Sequence, residues 1–496
     1  MLSKWDFLAV IFSQMVFGAT SHFPLNQPKK FEGITLSWVG DKILGDIFHW
    51  YSPILKKEAG MEVASGEFFT TAQGYEWILP QLIAKESRWD LMVSTPQYLG
   101  DFIETGGVQP LDDFFIEFGK TFTEKYWEEV LPVYRDFYSQ ADGKTWAIPL
   151  DGDLLALHYR PSYFEDPKLK EKFLKTRRRE LTVPETWEEL DEVAQFFTQE
   201  LKSKNVYGIQ LAGTAPWVWS YWYTRAAAYG VRLFDEQMNP EINTELAAKS
   251  LEDFVNLIQW SPPGVENLGG DRLVKNWQAG NTVMSLWYFD LTELGGINKN
   301  FQGDVATVPV PGVRQKDGKI SRYALAPYSR VALIPKNISE KRKRAAFYAA
   351  LRLSEKSISQ KLVGDSRCGI DPFLKSHYEL AESFTIPNSE AGAKEIVFPS
   401  LSQARAHLAA GKATMEFAWP QPTWPGSSQY LYSLGSHIHK ALLKQETPKQ
   451  ALHQTTREWK EILARYGKKD QMRAYQKFQT KLNKLQASRT LPAKGR

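Results

Sequence analysis

The chain has 496 residues, 43% apolar, 24% charged and 13% aromatic, with one cysteine and a formal net charge of +4. This is a folded globular composition, too long for one core, so two or three lobes are expected. Residues 467–496 carry nine Lys/Arg and one Asp, a local excess of +8 that leaves the rest at −4 and excludes a nucleic-acid-binding body.

At the N-terminus Lys4 precedes an apolar run from Phe7 to Ala19, too short to span a bilayer, and small residues follow in "GATS". This pattern predicts an export signal over residues 1–21. No cysteine follows it for a lipid anchor, and Cys368 has no second cysteine to pair with, so a soluble periplasmic protein is expected. "GITLSWVG" predicts a strand, "ILGDIFHWYSPILKKEAG" a helix, "MEVASGEFF" a strand, "YEWILPQLIAKES" a helix and "WDLMVSTP" a strand. Such alternation predicts a mostly parallel sheet covered on both faces, with ligands beyond the carboxyl ends of its strands. Trp38 and Asp41 occupy one such end, Ser94 and Thr95 another.

The stretch "DGKTWAIPLDGDLLALHYRPSYF", residues 142–164, interrupts an apolar strand with Asp151 and Asp153. "TVPETWEELDEVAQFF" follows with Thr186 and Glu189 spaced as a capping box. "NVYGIQLAG" predicts a strand, and the loop after it, "TAPWVWSYWY", holds Trp217, Trp219 and Trp222. "VKNWQAGNTVMSLWYFD" reads as a helix end, a glycine and a strand, and "GDVATVPVPG" as extended and proline-broken. Further on come the strand "RVALIPK", a helix capped by Ser339, the turn "CGIDPFLKS", a loop at "HLAAGKAT" and a rigid loop at "FAWPQPTWPGSSQ". A helix then starts at Thr447 with Pro448 in its first position. In the basic tail Met472, Tyr475, Phe478, Leu482 and Leu485 fall at helical spacing, which suits a helix packed on the body or a solvated extension.

Five of these stretches, in order, resemble the extracellular solute-binding proteins of ABC transporters, the family of maltose-type and other carbohydrate receptors. They are "RWDLMVSTPQYLGDFIETGGVQPLDDFF", "DGKTWAIPLDGDLLALHYRPSYF", "VPETWEEL", "WQAGNTVMSLW" and "ETPKQAL". The resemblance runs from about residue 33 to residue 465; the "TRRRE" insertion, the loop in the 420s and the basic tail depart from it. It implies an α/β two-lobe periplasmic-binding-protein fold of type II, with crossing hinge segments. Lobe I would comprise 31–149 plus 304–363, lobe II 150–303 plus 364–466, and 467–496 a C-terminal extension. Residues 149–153 would form the first crossing, "VATVPVPG" would return the chain to lobe I, and residues near 364–371 would cross again.

A sugar or polyol presents C–H faces, which rings cover, and hydroxyls, which carboxylates and amides hold. Covering roughly 100–200 Å² of C–H face supplies about 2.5–5 kcal/mol, against about 8 kcal/mol for a micromolar complex, so hydrogen bonds must add affinity and selectivity. Trp217 or Trp219 is a candidate stacking ring, and either ring could instead pack beneath its loop. The resemblance places a ligand-facing aromatic at Trp287, beside Tyr288 and Asp290. Trp38 and Trp424 are further candidates, the latter as lid or core. Asp151 and Asp153 share a face of an extended segment; they either accept solute hydroxyls or hold the hinge through backbone N–H or Arg330. Asp371 lies beside the last crossing.

His437 and His439, two apart in a helical context, face different ways, and no metal, cofactor or catalytic group is expected. The resemblance therefore implies a monomeric, non-enzymatic receptor for a carbohydrate or polyol, handing it to membrane permease subunits. Two alternatives stay open. One is a phosphorylated polyol or other small metabolite, anchored by Arg225 or Arg330; the other is a secreted glycoside-cleaving enzyme. The paired aspartates invite the enzyme reading, although two residues on one short segment cannot easily flank a sugar ring.

Overall fold

Buried strands form two separate sheets in this computed structural model, which describes residues 30–490 apart from 65, 69–70, 296–302, 388 and 390–393. The export signal expected at 1–21 lies outside the described residues. The first sheet has the order Glu67–Phe68, Trp38–Gly40, Leu91–Ser94, Arg330–Leu333, Ile148–Asp151. The second has the order Tyr207–Gln210, Thr282–Tyr288, Leu155–Tyr159, Ala306–Pro309. All seven residues of Thr282–Tyr288 are buried, as a strand covered on both faces requires.

Neither sheet is as uniformly parallel as the alternating pattern predicts. Arg330–Leu333 runs antiparallel to both its neighbours in the first sheet, and Leu155–Tyr159 does so in the second. The reversed strand is in each case the one that enters directly from the other lobe. No covering helix turns the chain between the sheets, so the parallel rule of strand–helix–strand units does not apply.

The helix starts read from sequence form as caps. Thr186 and Glu189 make a reciprocal capping box for Trp187–Glu200, and Thr447 and Gln450 make one for Pro448–Tyr466. Two expected loops are helical instead. "TAPWVWSYWY" opens the helix Ala215–Ala228: Thr214 is extended at the N-cap position, Pro216 sits in the first turn, and Val218 through Ala228 are buried. A helix apolar all round carries no periodic signal, which is why its rings read as a loop. "HLAAGKAT" lies within the helix Leu401–Met415; a Cβ on Gly411 would stand 2.5 Å from the Phe289 ring, so this glycine marks close packing, not a break.

The chain passes between lobes at 151–154, at 327–329 and at 364–374. The sequence reading puts the return to lobe I at "VATVPVPG", but Ala306–Pro309 pairs with Leu155–Tyr159 and stays in the second sheet. Strand Ala324–Ala326 still packs on the helix Ala215–Ala228, and Arg330 is the first residue of the first sheet. Pairing over such a separation overrides the local, proline-rich hinge signal. Before the last crossing, Ser354 donates to Pro149 O (2.6 Å) under the first sheet, while helix Leu401–Met415 covers Ala306–Pro309 in the second.

The basic tail forms a helix, Lys468–Thr490, with Tyr475, Phe478, Leu482 and Leu485 buried against the body. Among the described residues no helix is long and apolar enough to cross a membrane.

Candidate functional site

The three crossings are tied to one another by three carboxylates and one guanidinium. Asp151 is fully buried; its Oδ1 accepts from the N–H groups of Gly152 (2.8 Å) and Asp371 (2.7 Å), and its Oδ2 accepts from Arg330 Nη1. Arg330 also donates through Nε to Asp41 and through Nη1 to Gly369 O (3.3 Å). Asp371 Oδ2 accepts from Phe289 N (2.9 Å) and Leu154 N (3.4 Å), and Asp153 Oδ2 from Ser329 N (2.9 Å). Asp41 has a second task, its Oδ1 capping the helix Lys42–Ala59 through Leu44 N (3.0 Å). Asp41, Asp151, Asp371 and Arg330 therefore serve the hinge, with Arg330 held between two carboxylates instead of open to an anion. Arg225 is likewise taken, by both oxygens of Asp191 (2.8 and 2.7 Å).

Burial drives the electrostatics here. It pushes the Asp153 carboxyl well above its ordinary range, with the charge of Asp151 adding to the effect. It raises Asp290 to about 7, again reinforced by Asp151. Burial opposes the charge of Arg330, but Asp41 and Asp151 outweigh it and hold the guanidinium well above its usual value.

Beside this knot lies a group of rings. Trp217, half-buried, stands 4.4 Å from Tyr328, 5.8 Å from Trp287 and 6.0 Å from Tyr288 between ring centroids. Trp287 lies 4.8 Å from Tyr288 and donates its indole N–H to Asp290 Oδ1 (2.9 Å). Tyr328 belongs to the second crossing, where it and Ser329 both adopt left-handed backbone (φ +67° and +46°). Two successive non-glycine residues in that region are strained and persist only when neighbours hold them. Here Tyr328 N donates to Gln421 Oε1 (3.2 Å), Tyr328 Oη to Pro216 O, and Ser329 N to Asp153.

Buried polar atoms also lie on the elements that meet here. Ser94 sits opposite Val331 in strand register, so its strand ends beside the start of Arg330–Leu333, and Ser94 and Thr95, successive and extended, face opposite ways. The hydroxyls of Ser94, Thr95 and Ser329 and the amide nitrogen of Gln421 have no hydrogen-bond partner among the described residues. Polar atoms so buried are ordinarily paired; these form a set able to meet the hydroxyls of a small solute.

Of the residues singled out from sequence, Asp153, Trp217, Trp287 and Asp290 come together around this centre, and Ser94 and Thr95 end a strand that pairs with the one leaving it. Trp219, buried against the helix Ser427–Leu442 near Gly435, borders the centre, its ring 6.3 Å from Tyr328. Two tryptophans do not join it. Trp38 packs on Phe48 and donates to Ala64 O (3.0 Å) in the core of lobe I. Trp424 packs among Phe234, Tyr475 and Phe478 beneath the C-terminal helix. Sequence reading missed Tyr328, Ser329 and Gln421. Only the Pro-Tyr-Ser interruption between "ALA" and "RVAL" hinted at the first two.

Residues 67–353 match the family described as bacterial extracellular solute-binding protein. The chain is 29% identical over 147 residues to a mannitol-binding protein of Pseudomonas aeruginosa, covering 29% of this chain and 30% of that protein. A putative binding protein of Brucella abortus is 24% identical over 200 residues, covering 40% and 43%. The chain thus spans under half the length of these relatives. In fold it is similar to a ribitol-bound ABC-transporter solute-binding protein from Agrobacterium radiobacter K84, with a TM-score of 0.70, 19% identity and coverage of 87% of this chain and 99% of the other. It is also similar to a D-mannitol-bound one from Agrobacterium vitis S4 (0.65, 21%, 88% and 99%). The match covers more than half of the sequence, two sheets joined by three crossings agree with it, and the chain belongs to the bacterial extracellular solute-binding protein family.

Proposed function

We propose that this protein is the soluble receptor of an ABC importer, closing its two lobes on a polyol or sugar and presenting it to the membrane permease outside the cytoplasm. What supports this reading is one cluster. The rings of Trp217, Trp287, Tyr288 and Tyr328 stand beside the carboxyl groups of Asp153 and Asp290 and beside Ser329, whose hydroxyl is unpaired, at the point where the chain passes between lobes. Rings cover C–H faces and carboxylates accept from hydroxyls, the pairing a neutral polyhydroxylated solute needs. Mannitol and ribitol, named for two of the similar proteins, are the first candidates. Closure by a bridging solute is a population shift, with no bond made or broken.

The test is a thermal-shift screen with mannitol, ribitol, maltose and their phosphates, alongside chromogenic glycosides. An alditol or sugar bound only by the folded form should raise the melting temperature. Trp217→Ala should then weaken its binding at least about tenfold, about 1.4 kcal/mol. Stabilisation by the phosphates alone, or turnover of a glycoside, would overturn the reading.

A further inference from the structure

The basic tail departs from the family resemblance, yet its helix is bonded to the body along its length. Its first turns hold lobe II. Lys468 Nζ donates to Asn239 Oδ1 (2.8 Å), Gln471 Nε2 to Pro425 O (2.8 Å) and Tyr475 Oη to Phe234 O (3.0 Å), while Tyr430 Oη donates to Gln471 Oε1 (3.1 Å). Its middle holds lobe I. Lys477 pairs with Asp142 (2.6 Å), and Lys481 Nζ donates to Asp136 O (2.6 Å) and Gln140 O (2.7 Å). The Phe478 ring stands 5.1 Å from Phe137 on one side and 5.1 Å from Trp424 on the other, so one side chain touches both lobes. Near the end of the helix, Arg489 Nη2 donates to Ala418 O (2.5 Å), on the strand paired with Ala324–Ala326 just before the second crossing.

The segment this helix grips in lobe I, Tyr134–Ser139, is itself bonded to the hinge. Tyr134 Oη donates to Gly152 O (2.6 Å) at the first crossing. Tyr138 Oη donates to Ala326 O at the second and accepts from Gln421 N (2.9 Å). Four of the cations on the helix, Lys468, Lys477, Lys481 and Arg489, bond to the body, so much of its charge serves docking. Lobe rotation about the crossings must move Tyr134–Ser139 relative to Phe234 and Trp424, and the helix is bound to all of them.

We infer that the helix Lys468–Thr490 is a brace across the hinge that favours the closed arrangement, so that opening the cleft requires its middle turns to release lobe I. The inference rests on the receptor reading only in assuming that the lobes open and close; it does not depend on which solute binds.

Small-angle scattering of the solute-free, full-length protein tests it. Phe478→Ala combined with Lys481→Leu should increase the radius of gyration relative to wild type. With mannitol as probe, the same variant should bind about five- to tenfold more weakly, because the apparent dissociation constant scales inversely with the closed fraction. An unchanged radius of gyration overturns the brace even if mannitol does not bind at all, which separates this failure from failure of the solute reading. A staple provides the converse test and guards against a misfolded variant. Asp142→Cys with Lys477→Cys, bridged by a reducible bis-methanethiosulfonate cross-linker long enough to replace the ion pair, joins the helix to lobe I, and the native Cys368 is buried away from the reagent. Cross-linked protein, verified by mass, should shift toward the compact population and return to the wild-type distribution on reduction; a distribution indifferent to the cross-link overturns the proposal.

Discussion

Asp290 stands where two demands conflict, accepting a hydrogen bond from Trp287 while buried close enough to Asp151 to feel its charge. Its folded value of about 7 exceeds the ordinary 3.8, so the folded state binds the proton more tightly and this residue's contribution to stability falls as pH rises between those values. His158, pushed down to about 4 by burial, acts in the opposite sense, so the informative quantity is a difference between proteins. Asp290→Asn keeps the acceptor and removes the titration. Its melting temperature should gain on wild type steadily from about pH 4 to about pH 8, and a constant difference across that range would show that Asp290 does not titrate there. The aspartates were legible in sequence because carboxylates rarely interrupt an apolar strand without a task. The tryptophans were less so: Trp38 and Trp424 sit at strand ends and in a proline loop, where a core indole and a solute-facing one look alike. Tyr328 and Ser329 were silent, because nothing in Pro-Tyr-Ser announces two left-handed residues in succession.

The crossings are elements in their own right, and their packing sets how far they can bend. Gly152 lies against the third crossing so closely that a Cβ would stand 2.3 Å from Pro372 O and 3.0 Å from the Cβ of Phe373. Gly152→Ala must therefore push two crossings apart, and overpacking of this kind costs about 1–3 kcal/mol. A fall of that size in unfolding free energy from urea denaturation is expected; no change would mean the crossings separate freely. The first and third crossings were readable as glycine- and aspartate-containing turns between apolar runs. The second was misplaced by some twenty residues, because "VATVPVPG" has a hinge's composition while its actual place is fixed by pairing with Leu155–Tyr159, about 150 residues earlier. Helix starts, being local, were read correctly at Thr186, as a capping box, and at Thr447, whose box with Gln450 only the structure shows.

For the molecule as a whole, the rim formed by Gly100 and Asp101 against residues 425–428, next to the start of the C-terminal helix, makes a further point of contact between lobes. Asp101 of lobe I accepts from Gly426 N (2.7 Å) and Ser428 Oγ (3.2 Å) at the start of the helix Ser427–Leu442, where an anion is favoured. Next to it Gly100 admits no side chain, since a Cβ would stand 2.5 Å from Pro425 N. Gly100→Leu should wedge the rim apart, enlarging the radius of gyration and weakening solute binding while the denaturation midpoint stays near wild type; an unaltered radius would mean that the lobes do not meet there in solution. The two-lobe plan itself was legible from five short motifs in order, each weak alone. The order of the strands has a kinetic consequence. Arg330–Leu333 is the middle member between Leu91–Ser94 and Ile148–Asp151, so two early-made strands keep raw edges until a segment some 180 residues downstream is inserted between them. Such long-range closure is slow, and the nascent polypeptide stays unfinished, and open to passage as a thread, until Arg330–Leu333 has been made.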